Sequence, residues 1–146
     1  ELKSFYHSSK LFHGPTFQFL EEVKLNREGN AEGKLRFPFV GSNLSQPWWA
    51  KVALFDSALQ LLALNALELK QWKGLPIGFE AFNLSLSFPF NQPLRWRVLR
   101  WEIANDHLTG DLSLLDSSLF EVGKLQGVRF RSVEIGRLGI DKPNIV

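Results

Sequence analysis

The chain has 146 residues, enough for one domain with a sizeable core, and its 45% hydrophobic and 22% charged content is that of a globular protein, which excludes a disordered chain. A formal net charge of +2 makes no electrostatic case for binding a phosphate backbone. The lack of any cysteine removes disulfides, thiolate nucleophiles and cysteine zinc sites, and leaves an intracellular, cytoplasmic setting as the expectation. Thirteen Phe and five Trp against one Tyr point to a large apolar core or an apolar channel. No basic-then-apolar leader opens the sequence, and with no Met anywhere it is expected to be trimmed from something longer.

In the first alternating segment Phe17, Phe19, Val23 and Leu25 share one phase, and in the second Ala31, Gly33, Leu35, Phe37 and Phe39 do, with Glu22, Lys24, Glu32, Lys34 and Arg36 opposite. Half-buried strands alternate in this way. Asn26-Arg27-Glu28-Gly29-Asn30 supplies turn residues between them, so the pair reads as an antiparallel hairpin. Residues 40–48 read as a loop into a long helix.

That helix is apolar from Val52 to Leu64 except for a few positions, and Asp56 is the one that demands explanation, because ionised carboxylates are rarely left in such surroundings. Asp56 and Gln60 lie about 40° apart around the axis, on the side that carries Trp49, Val52, Ala53, Ala63 and Leu67. Ser57, Asn65 and Glu68 fall on a different face, expected to meet solvent or a partner. The same four interruptions, Asp56, Gln60, Asn65 and Glu68, argue for a core helix over a membrane span. The helix is expected to end near Lys70 to Gly74, where Lys73-Gly74 offers a stop and Pro76 follows.

Strands then resume. Phe82, Leu84, Leu86 and Phe88 alternate with Asn83, Ser85 and Ser87, and Asn91-Gln92-Pro93 turns the chain. Between Leu94 and Ile103 the apolar phase changes from Trp96 and Val98 to Trp101 and Ile103, so a bulge is expected near Leu99. Leu108, Leu112 and Leu114 alternate again, and the last strand slips phase around Gly127, a second bulge position. Two strands, one helix and four strands predict an α+β domain over residues 1–146, a single antiparallel sheet wrapped on one helix. A helix apolar on nearly every side needs more than that one sheet, so a second sheet from a partner or neighbouring domain, and hence a dimer or other oligomer, is expected.

These motifs, in this order, resemble the C-terminal half of the double hot-dog dehydratase domain of polyketide and polyunsaturated fatty acid synthases. Phe12-His13-Gly14-Pro15-Thr16-Phe17-Gln18 is similar to the family's aromatic-Gly-Pro-x-Phe-Gln entry to the first strand, and Leu54-Phe55-Asp56-Ser57-Ala58-Leu59-Gln60 to its Leu-Leu-Asp-Ala-x-Leu-Gln helix motif. Leu75-Pro76-Ile77-Gly78-Phe79 resembles the Leu-Pro-x-x-Ile strand start after the helix. The stretch from Leu108 to Asp116, with Leu125 to Arg131, resembles the closing hairpin. The resemblance implies a hot-dog fold that removes water from 3-hydroxyacyl chains in polyketide or fatty acid biosynthesis. The chains are carried on the phosphopantetheine of an acyl carrier protein, and no other cofactor is needed. It puts Asp56 in the role of the acid that protonates the departing hydroxyl, with Gln60 beside it, and His13, Gly14, Pro15 and Pro76 along the substrate. Desolvation on an apolar helix would raise a carboxyl pKa and favour that donor form. The family's base is a His in the other, N-terminal half, in a His-x-x-x-Gly-x-x-x-x-Pro motif that this chain lacks: His7 is followed by Ser8, Ser9, Lys10 and Leu11. Trp48-Trp49-Ala50-Lys51-Val52-Ala53 also stands where the family has His-Pro before the helix. The implied partners are therefore an acyl carrier protein and either an N-terminal hot-dog half or a second copy.

Other chemistries fare worse. Three scattered His residues give no metal-ligand spacing, and Ser57 has neither a Gly-x-Ser-x-Gly setting nor a His pattern nearby. Arg95-Trp96-Arg97-Val98-Leu99-Arg100-Trp101 interleaves cations and rings as nucleic-acid binders do, yet strand alternation accounts for it. An acidic carrier protein is the more natural partner for those arginines. The alternatives to a dehydratase half are a non-catalytic hot-dog module that binds acyl chains or scaffolds a synthase and, less favoured, an acyl thioesterase.

Overall fold

The computed structural model describes residues 20–25, 31–35, 48–85 and 92–133. They form strands β1 (Leu20–Lys24) and β2 (Glu32–Leu35), helix α1 (Trp48–Lys70), and strands β3 (Gly74–Gly78), β4 (Ala81–Leu84), β5 (Leu94–Ala104), β6 (His107–Leu115) and β7 (Glu121–Ser132). The strands make one antiparallel sheet in the order β1-β2-β5-β6-β7-β3, and β4 follows β3 along the same edge of β7. The expected strand from Phe82 is thus preceded by a separate one, giving five strands after the helix. Leu75, Pro76, Ile77, Gly78 and Phe79 are all exposed, so β3 has no inward and outward phase for a periodicity to reveal.

Leu54, Ala58, Leu61 and Leu62 of α1 are fully buried against the inner face of the sheet, where Leu94, Trp96, Val98, Leu108, Leu112, Leu114, Leu125, Val128 and Phe130 complete the core. This is the packing of a core helix, although α1 is long and apolar enough to cross a membrane by length and composition. The helix seats low because the sheet is notched beneath it. A Cβ on Gly33 would meet a methyl of Leu20 at 2.7 Å and one of Leu61 at 3.4 Å, and a Cβ on Gly110 would meet Leu62 at 2.9 Å. At its end Gln71, with φ 51°, turns the chain left-handed, so that its N–H reaches the Leu67 carbonyl and that of Trp72 the Ala66 carbonyl. The helix ends at Lys70, at the near limit of the expected range, and Gly74 already belongs to β3.

Ser57 and Asn65 are fully buried, which corrects the expectation that their face meets solvent or a partner; Glu68 alone of the three is exposed. Wheel angles group residues but do not say which group the sheet covers. Trp96 explains Ser57: its indole N–H donates to the Leu54 carbonyl at 3.0 Å and to Ser57 Oγ at 3.2 Å, while Ser57 Oγ donates to Leu54 O at 2.8 Å. Asn65 has no such relief, and both polar atoms of its side chain are buried without a hydrogen bond.

Both expected bulges are present. Val98 pairs with Leu112 and Arg100 with Asp111, which leaves Leu99 as the extra residue of β5. Gly110 pairs with Val128 and Leu112 with Leu125, which puts the extra residue of β7 at Gln126-Gly127, where Gly127 has φ 64°. A further bulge lies in β1, where Leu20 pairs with Leu35 and Glu22 with Lys34. It turns Leu20 inward, out of the phase expected from Val23 and Leu25.

Candidate active site

The side of α1 turned away from the sheet carries Val52, Asp56, Leu59, Ala63 and Leu67, all half-buried except Val52, which is exposed. Helical geometry puts Asp56 and Gln60 on adjacent turns of that side, and the structure joins them: Gln60 Nε2 donates to Asp56 Oδ2 at 2.5 Å. Gln60 is buried while Asp56 is only half so. The carboxylate thus stands at the border of the core, its rotation held by an amide anchored inside.

An aromatic wall begins at the neighbouring residue. The Phe55 ring meets Phe79 edge-on at 4.8 Å between centroids and Phe82 at 5.7 Å, and Phe82 lies 6.4 Å from Trp96. Phe79 follows β3, whose Leu75 and Ile77 are exposed large apolar side chains, as is Val52 on the helix. Scattered apolar side chains on a surface need no explanation, whereas Leu75, Ile77 and Phe79 follow one another along a single edge of the sheet. Pro76, expected along the substrate, is exposed on β3 opposite Phe130 of β7. His13, Gly14 and Pro15 lie outside the described residues.

The outer face of the sheet bears the charges. Arg97 binds Glu32 Oε1 at 2.7 Å through both Nε and Nη2, and Arg95 approaches Glu32 Oε2 at 3.6 Å. Glu22, Lys24, Glu32, Lys34 and Arg95 line a shallow groove there. Trp96 is buried between the two arginines, as strand alternation predicts, and Glu32 shares their charge, which leaves less of it for a partner.

One polar group escaped the sequence reading. Asp111 Oδ1 accepts the Gly127 N–H at 2.8 Å and Oδ2 accepts Arg100 Nε–H at 3.0 Å, so a single carboxylate ties both bulges. Burial works to raise its pKa, but the Gly127 N–H, the Arg100 guanidinium and the Lys124 charge together hold it below the usual carboxylate value. The signal in the sequence was the pair of phase slips flanking an Asp on the strand between them.

A long helix backed by one antiparallel sheet, with a polar pair on the side away from that sheet, defines an α+β hot-dog domain, and the solved structures agree. The dehydratase domain from the CurJ module of curacin polyketide synthase superposes with a TM-score of 0.69 at 20% identity, covering 92% of this chain and 50% of that one. The dehydratase domain of PpsC from Mycobacterium tuberculosis, in complex with C12:1-CoA, gives 0.65 at 18%, covering 90% and 50%. That of RzxB from Pseudomonas fluorescens gives 0.69 at 18%, covering 90% and 48%. The chain therefore spans about half the length of these structures. No curated protein matches it. The family described as "Polyketide synthase dehydratase N-terminal domain" matches residues 2–139, and the chain belongs to the polyketide synthase dehydratase family.

Proposed function

We propose that this chain is the acid-bearing half of a dehydratase acting on 3-hydroxyacyl chains carried by an acyl carrier protein. The observation that carries the reading is the Asp56–Gln60 pair on the apolar side of α1 away from the sheet, with Gln60 buried and Asp56 half-buried. Asp56 gives its proton to the leaving hydroxyl, which departs as water. A His of a second hot-dog half removes the proton beside the thioester carbonyl, and the double bond forms between the two carbons. Gln60 holds the Asp56 carboxyl toward the substrate.

The matching family is described by its N-terminal domain, yet the chain lacks the His motif of that half and carries the Asp helix motif. We therefore assign it the C-terminal role. The half-length coverage supports a second half in the working enzyme, and the exposed Leu75, Ile77 and Phe79 with Val52 are the surface that half would cover. The acyl chain then lies between the aromatic wall and the incoming domain. An acyl-thioester occupant accords with the C12:1-CoA seen with the PpsC domain.

Mixing the chain with a His-bearing hot-dog half and a 3-hydroxyacyl thioester is expected to yield the unsaturated product, and Asp56→Asn to stop it. Undiminished turnover in that variant removes Asp56 from the acid role. The Trp48-Trp49 pair in place of His-Pro favours a second reading, an acyl-binding module without chemistry. Binding of an acyl thioester with no elimination product would establish it, and free acid as the product would identify a thioesterase.

A further inference from the structure

We infer that Asp111 is a positioning residue for the apolar wall beside Asp56, an inference that rests on the function proposed above. The argument starts from the register. Gly78 pairs with Arg129 and Ala81 with Gln126, so Phe79 and Glu80 form the joint between β3 and β4, opposite the β7 bulge. The Glu80 N–H donates to the Gln126 carbonyl at 2.9 Å. Glu80 also lies over Gly127 so closely that a Cβ there would come within 2.4 Å of Glu80 Cγ. The bulge therefore sets where the edge strand bends, and the bend aims Phe79 at Phe55, its ring 4.8 Å away. Phe55 immediately precedes Asp56.

What holds the bulge is Asp111. Its Oδ1 takes the Gly127 N–H that the slipped ladder would otherwise leave unmatched. Its second oxygen pairs with Arg100, whose side chain is 60% exposed, and an ion pair so exposed contributes little. The bond to Gly127 is the operative one. Asp111 never touches substrate; it acts through Gly127, Glu80 and Phe79.

The test separates this role from general destabilisation. In Asp111→Ala the exchange of the Gly127 and Glu80 amides is expected to rise about tenfold or more, as for loss of a charge-assisted hydrogen bond. The ring-current-shifted resonances of Phe79, assigned with Phe79→Leu, should move. The Leu20–Leu35 end of the β1–β2 pair, remote from β6 and β7, should keep its amide protection. Asp111→Asn retains an acceptor for Gly127 and should restore the wild-type values, and Arg100→Ala should barely differ from wild type. With the His-bearing half present, Asp111→Ala is expected to raise KM about three- to tenfold with kcat held, the pattern of lost ground-state binding. Unmoved Phe79 resonances, uniform loss of protection, failure of Asn to rescue, or a fall in kcat at constant KM would each overturn the inference. A mixture with no turnover at all sinks the composite-site reading and leaves the amide and ring measurements to decide the role of Asp111.

Discussion

The two sides of α1 hold their polar side chains on different terms. On the side against the sheet Ser57 is enclosed with Trp96 and the Leu54 carbonyl, and Asn65 is enclosed with nothing. On the opposite side Asp56 stands half-open with Gln60 anchoring it from within. The inner side is a packing problem solved in full or left at a cost, while the outer side keeps a carboxylate where a second surface can reach it. Polar groups on one helix thus differ in setting according to what covers them.

That contrast can be broken by substitution. The largest effect belongs to Asp56→Asn, expected to lower turnover by about 10²- to 10⁴-fold while the urea midpoint stays within the scatter of surface changes. A large loss of stability there would merge the two sides. Leu61→Ala, which empties a fully buried site over Gly33, should cost about 2–5 kcal/mol in urea unfolding. Trp96→Phe, which removes the indole N–H from Leu54 O and Ser57 Oγ, should cost about 1–3 kcal/mol, measured in the same way. Asn65→Leu runs the other way and should stabilise the chain by about 1 kcal/mol, since no hydrogen bond is lost when the amide goes. A melting temperature that falls in this variant would mean that the amide has a partner after all.

The smallest effect is one of pH. Because the folded-state pKa of Asp111 is held below its ordinary value, its contribution is fully present above about pH 4 and is lost as pH falls through the depressed folded value. Acid titration of stability should therefore be slightly shallower in Asp111→Asn than in the wild type.

Much of this was legible in the sequence. Alternation located β5, β6 and β7, and the phase slips at Leu99 and Gly127 disclosed both bulges because buried residues lie on each side of them. The bulge in β1 left no such mark, since one of its two flanks is a pair of glutamates and the inward Leu20 stands alone. Exposure on both faces hid β3 from periodicity, and only the resemblance at Leu75-Pro76-Ile77-Gly78-Phe79 marked a strand start there; its separation from β4 lies opposite a bulge in another strand. The Asp56–Gln60 contact was legible because a carboxylate in an apolar helix stands out and a glutamine four residues on lies within its reach. The burial of Ser57 and Asn65 was not, because a single strand of text gives the angle of a side chain and not the identity of the layer it meets.

The notches at Gly33 and Gly110 lie on the far side of α1 from Asp56, yet they fix its height. An added methyl at Gly110 would meet Leu62 at 2.9 Å, and one at Gly33 would meet Leu20 at 2.7 Å, so each site stays clear for a neighbouring leucine. Glycine at 110 lets Leu62 settle onto the strand backbone, so the depth at which α1 rests is set by what the sheet beneath it leaves out.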